Sequence, residues 1–212
     1  MKLQCALCRV QACGAEPGTT AYPAFCPMAE ESEVLQEARR AYEDEETRKL
    51  ALAAARTEAD RYPLETRLEE VMSFARRIGA KRLGIASCVG LIREARILQR
   101  IFEGNGFQVD SVCCKVGSIP KEEIGLTDEE KIHPGRFEAL CSPIGQAKLL
   151  NEAGTDLNVV VGLCVGHDSL FFRHSEAPVT VLIAKDRVTG HNPAAVLYTS
   201  HSYYARVTGH MG

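Results

Sequence analysis

Tryptophan is absent from the 212-residue chain, and aromatic residues make up only 6% of it. So few flat rings argue against stacking platforms for single-stranded nucleic acid. No apolar run approaches the roughly 18 to 20 residues that span a bilayer. The N-terminus, MKLQCALCRV, has no long apolar stretch of the kind a secretory leader carries. Both features point to a cytoplasmic chain without a membrane partner. An excess of one charge sign is missing as well. Lys and Arg number 25 against 28 Asp and Glu, a net charge of −3, which gives no global reason to expect nucleic acid as a partner. No G-x-G-x-x-G or P-loop follows any expected strand, so nucleotide binding has no motif to mark it.

What is present is cysteine, nine of them. In a reducing compartment a disulfide framework is disfavoured, and thiolate ligands or redox groups become the better reading. An odd number also excludes complete pairing within the chain.

Residues 1–28, containing QCALCRVQACGAEPGTTAYPAFCP, have too few apolar residues to build a core. Cys5, Cys8, Cys13 and Cys26 are spaced C-x2-C-x4-C-x12-C, and a C-x2-C pair offers two thiolates from one tight turn. Four thiolates suit a closed structural zinc site, which would supply the ordering energy the segment lacks. Reactive thiols on a loose tail are the plainer alternative. Common ferredoxin spacings are absent, and with Lys2 and Arg9 as its basic residues the segment is a poor nucleic-acid knuckle.

Residues 29–62, rich in Ala, Glu and Arg, read as a helical arm of two helices broken near Asp44, with Pro63 as the stop. Such an arm could carry a homo-oligomer contact. Residues 63–212 form the third expected segment. Thr66 and Glu69 fit a capping box, and Leu68, Val71, Met72, Ala75 and Ile78 follow helical spacing up to Gly79. The chain then alternates. Strands are expected at 82–88, 108–116, 157–164 and 179–185, and a helix at 91–103 closed by Gly104. A polar excursion runs over 119–136. Ser142–Pro143 and Asn192–Pro193 look like cap-plus-first-turn signals, and the tail after Tyr198 reads as a closing strand or a loose end. Continuous Val, Leu and Ile strands between helices predict an α/β, Rossmann-like three-layer domain with a mostly parallel sheet.

The remaining cysteines fall at element boundaries. Cys88 and Cys164 end expected strands, Cys113 and Cys114 lie near the end of another, and Cys141 precedes a helix start. In a parallel sheet these ends share one rim, where ligands bind and helix N-termini favour thiolates. Each cysteine alone reads more simply as a small packing residue. Together, Cys88, Cys114, Cys141 and Cys164 predict a second metal or iron–sulfur site. Cys114 is chosen over Cys113 because neighbours on a strand face opposite ways. His167 and Asp168, just beyond, are candidate catalytic or proton-transferring residues, and His191 is a further candidate. SCVGL (87–91) and LCVGH (163–167) echo each other and suggest equivalent strand-to-helix turns.

The combination of CCKVG, GLCVGHDSLF and GHNP resembles the prokaryotic metal-binding protein family also called domain of unknown function 1847. That resemblance extends over nearly the whole chain. Its matching positions are the N-terminal cysteines, Cys88, Cys113, Cys114, Cys141, Cys164, His167, Asp168 and His191. It implies metal binding, largely in anaerobic bacteria and archaea, which favours iron–sulfur over zinc at the rim; it implies no reaction. The expected function is a metal-binding protein with a structural zinc and an iron–sulfur cluster, serving redox or sulfur-related chemistry with an unspecified small-molecule or redox partner. Two alternatives stay open: a zinc-stabilised interaction or sensor module without catalysis, and a thiol-dependent enzyme.

Overall fold

The computed structural model describes residues 3–29 and 32–209; Lys2, mentioned above, lies outside them. The chain divides into two compact units, Met1–Arg56 and Thr57–Gly212, whereas the sequence suggested boundaries at 28 and 62.

In the first unit, two short 3-10 turns, Cys5–Leu7 and Ala12–Gly14, precede helix α1 (Glu33–Ala41) and the start of α2 (Glu45–Asp60). The break between the helices falls at Tyr42–Asp44, where the Asp44 carboxylate accepts from the Thr47 amide at 2.8 Å and caps α2. Among the described residues of 3–29, Ala12 alone is buried. No apolar core orders this segment.

The second unit is built on a four-stranded parallel sheet. Its strands are β1 (Arg82–Ser87), β2 (Gln108–Cys113), β3 (Leu157–Val161) and β4 (Val179–Ile183), in the order β2-β1-β3-β4. Leu83 to Ser87 and Leu157 to Val161 are buried without interruption. Successive strand residues point to opposite faces, so both faces of the central strands are covered. The expected α/β architecture with a parallel sheet is what the chain adopts.

Helix α3 (Arg67–Ile78) forms where the capping signal stands. The Thr66 amide donates to Glu69 Oε2 at 2.8 Å, the Glu69 amide donates to Thr66 Oγ1 at 3.4 Å, and Gly79 closes the helix at φ +81°. Its apolar stripe of Val71, Met72, Ala75 and Ile78 is buried, and Arg67 Nε donates to the Val181 carbonyl of β4 at 2.7 Å. Helix α4 (Ile92–Gly104) links β1 to β2, and α5 (Pro143–Glu152) precedes β3.

Several local expectations are corrected. Gly104 is the last residue of α4, and the left-handed residue is Gly106, at φ +88°. Ser142 stands at the N-cap of α5 without a side-chain cap bond. Asn192 is displaced by Pro193 at the start of the short α7 (Ala194–Tyr198). The apolar segment after Gly166 is a helix, α6 (His167–His174), and the tail beyond Tyr198 forms turns and a 3-10 segment, with no strand among the described residues. Strands β2 and β3 end at Cys113 and Val161, earlier than expected, because a turn of backbone follows each. Cys114 and Cys164 therefore stand in loops.

Candidate metal and thiol site

Strand order decides where the site can be. β2 lies on one side of β1 and β3 on the other, so the chain reverses direction across the sheet between them. Loops leaving β1 and β3 part there and leave a crevice at the carboxyl edge. Cys88 follows β1 directly; Cys164 follows β3 by two residues, Gly162 and Leu163. The Cys-Val-Gly echo thus occupies two neighbouring strand-to-helix turns, offset by those residues.

Backbone bonds knit the rim together. The Cys88 amide donates to the Val161 carbonyl at 3.1 Å, and the Cys114 amide to the Ser87 carbonyl at 2.8 Å. The Ser142 amide donates to the Cys114 carbonyl at 2.7 Å, which brings Cys141 to the same place. Gln146, fully buried on α5, donates through Nε2 to the carbonyls of Ser87 (3.1 Å) and Val112 (2.7 Å). Gly162 is required at its turn. It adopts φ +68°, and a Cβ there would stand 2.1 Å from Leu91 Cδ1.

Cys88, Cys114 and Cys141 converge. Cys114 lies between the other two, with its sulfur in hydrogen-bonding contact with both, and the Val89 amide donates to Cys114 Sγ at 3.3 Å. The Cys114 contact, helped by the Gly90 amide and Lys185, draws Cys88 down to about 5. The same contact, with Lys115 and His167 nearby, draws Cys141 down to about 5. Cys114 is pushed up, because its two neighbours carry the thiolate charge and it is itself buried. Cys88 and Cys114 are 5% and 2% exposed.

Cys164 is not one of the touching thiols. Its sulfur accepts from Arg187 Nη2 at 3.1 Å. Cys88, Cys141, Cys164, His167 and Arg187 nevertheless line one cleft of about 390 Å3. Cys113 faces a separate groove of about 250 Å3 beside α4, with Arg96 and Gln99. Asp168 is occupied with its own backbone, accepting from the amides of Gly166 (3.0 Å) and Ser169 (2.8 Å). His191, at φ +69°, accepts through Nδ1 from the Asp186 amide at 3.1 Å. Asp186 in turn accepts from the Val188 and Thr189 amides, so this loop is clipped on both sides of Arg187.

Sequence reasoning missed Lys115, Lys185 and Arg187, the cations around these thiols. Their one signal was position: each follows the end of a parallel strand.

Among the described residues, no three or more Cys, His, Asp or Glu side chains stand as a ready-made cage for a single metal ion. The donor set on the rim suits a metal centre all the same. It consists of soft thiolates, two of them poised near 5, beside cationic side chains that offset their charge. In the N-terminal segment a 3-10 turn separates Cys5 from Cys8, and the Gln11 amide donates to Cys8 Sγ at 3.4 Å. Among the described residues, no helix is long and apolar enough to cross a membrane.

"Uncharacterized protein MJ0455" of Methanocaldococcus jannaschii is 47% identical over 169 residues, spanning 80% of this chain and 86% of that one. Among solved structures, Dph2 from Pyrococcus horikoshii with a 4Fe-4S cluster aligns at 23% identity and a TM-score of 0.34. That alignment covers 68% of this chain, which spans 33% of the larger protein. The family described as "Protein of unknown function (DUF1847)" matches residues 26–182, from Cys26 through all five rim cysteines, and the chain belongs to that family.

Proposed function

We propose that the protein carries an iron–sulfur cluster on the rim of its parallel sheet, held by Cys88, Cys114 and Cys141. The observation that carries this reading is the convergence of these thiols from the loops after β1 and β2 and from the start of α5. A cluster fits better than a lone zinc ion because Cys88 and Cys141 border a cleft of about 390 Å3, room that an enclosed ion does not need. When bound, such a cluster would supply electron transfer or, through an iron without a protein ligand, a site for substrate. The chain's own residues would set its surroundings. The Val89 amide donates to the Cys114 sulfur, Lys115 and Lys185 offset thiolate charge, and His167 stands by the cleft as a proton donor or acceptor. Cys5, Cys8, Cys13 and Cys26 would hold a structural zinc, supported by the lack of any apolar core in their segment.

Anaerobic purification followed by iron, sulfide and zinc assays tests both sites. Iron and sulfide should be lost in Cys88→Ser, Cys114→Ser and Cys141→Ser and retained in Cys113→Ser, and zinc should be lost in Cys5→Ser. An iron-free, colourless protein would sink the cluster.

A second reading, a thiol-dependent enzyme, is favoured by one observation. Cys88 and Cys141, drawn down to about 5, would be thiolates at neutral pH without any metal. Rapid alkylation of these residues in protein purified anaerobically, with no rim metal, would select it.

A further inference from the structure

The excursion between β2 and α5 is more than a polar loop. Lys131 is buried, its side chain 4% exposed, and its ammonium bonds Asp128 Oδ1 (2.9 Å), the Arg136 carbonyl (3.1 Å) and the Glu122 carboxylate. A Thr127–Glu130 capping box and a Lys121–Glu138 ion pair at 2.5 Å fix the same loop. This internal bonding holds an apolar surface open to solvent: Ile124 is 64% exposed and Ile132 75% exposed. Both line the cleft, together with Leu126 and Leu140.

The same cleft is lined by the cations Lys115, Lys121 and Arg187 and, among the described residues, by no Asp or Glu. Lys121 is committed to Glu138, and Lys115 donates to the Ala139 carbonyl. Arg187 is exposed and spends Nη2 on the Cys164 sulfur, and a guanidinium has five N–H groups to offer. Apolar side chains and an arginine fork lining one cleft match a ligand with two unlike ends.

We propose that this cleft binds a small amphipathic oxyanion, its anionic head on Arg187 and its apolar body against Ile124 and Ile132. The inference rests on the metal-centre reading for what the ligand would meet at the thiol rim. The binding can be tested apart from it. Arg187 is the specificity-determining residue, and the Asp186–His191 clip positions it.

The test uses the full-length protein, with iron content measured on each sample and hexanoate as probe, followed by calorimetry or ligand-observed NMR. Hexanoate should bind more tightly than hexylamine, and about tenfold more tightly than inorganic phosphate, which has the head without the body. Arg187→Ala should weaken hexanoate binding about tenfold or more, as loss of a charge-assisted contact does, when samples of equal iron content are compared. Ile132→Ser, at an exposed position, should weaken it several-fold. Equal binding of hexanoate and hexylamine, or an unaltered affinity in Arg187→Ala, would overturn the proposal even in iron-replete protein. Phosphate binding as tightly as hexanoate, or no effect of Ile132→Ser, would overturn its amphipathic part. Arg187-dependent hexanoate binding by iron-free protein would uphold this inference while the cluster reading falls.

Discussion

The backbone amide of Val89, in the loop after β1, donates to the sulfur of Cys114, just past the end of β2, at 3.3 Å. One strand-to-helix turn thus serves the thiol of its neighbour, and a single peptide group orients a sulfur that two other thiols contact. Thiols fixed in this way need no rearrangement to act together, which keeps low the entropy cost of gathering them.

The turn after β3 depends on Gly162. Gly162→Ala would place a side chain at φ +68° and within 2.1 Å of Leu91 Cδ1, so the buried Leu91 side chain, in the turn after Cys88, must shift. The variant should lose about 2 kcal/mol or more of stability in urea unfolding, from strain and displaced packing. It should also hold less rim iron per chain.

Cys164 should prove separable from the other rim cysteines. Its sulfur accepts from Arg187 and makes no contact with the Cys88–Cys114–Cys141 group. Cys164→Ser is expected to keep the iron content of the wild type, whereas Cys114→Ser loses it. Iron loss in Cys164→Ser would show four ligands instead of three.

In iron-free protein, Cys88 and Cys141 should alkylate with iodoacetamide at rates that inflect near pH 5, well below the ordinary cysteine value of about 8.5. Their folded pKa values are lowered, so they add stability at alkaline pH that is lost as pH falls from about 9 to about 5. Cys114 is shifted the other way, and its contribution is present below the ordinary thiol value and lost as pH rises past it. Stability of the iron-free protein should therefore be greatest near the ordinary thiol value and should decline on either side. Mass-resolved alkylation and pH-dependent thermal melts check both statements.

Lys131 holds the excursion shut upon itself. Lys131→Met should leave Glu122 and Asp128 without their shared cation, and cleavage within 121–136 should accelerate in limited proteolysis. The sheet, which makes no use of this residue, should melt as before. Unchanged cleavage would show that the capping box at Thr127 suffices.

The local parts of the fold were legible because their causes are local. Thr66 and Glu69 announce α3, Pro143 starts α5, and the unbroken Val159–Val161 run betrays a strand covered on both faces. Position at strand ends also singled out the rim cysteines, since parallel strands deliver every such residue to one edge. Gly104 misled because Gly106, two residues on, is the one that takes the left-handed turn. The excursion read as polar because its charges are paired within the loop by contacts such as Glu122–Lys131, which its composition does not display.

By itself, the sequence determined the α/β class, the cysteine-rich character and the set of residues able to reach the carboxyl edge, all consequences of periodicity and chain order. Tertiary structure alone decided which thiols touch. Cys114 turned toward Cys88 and Cys141, Cys113 toward another groove, and Cys164 toward Arg187. Those choices follow from strand order, the backbone bonds at Ser87 and Val161, and the clip that fixes Arg187. Each joins residues far apart in the chain, through contacts that exist only once the sheet has formed.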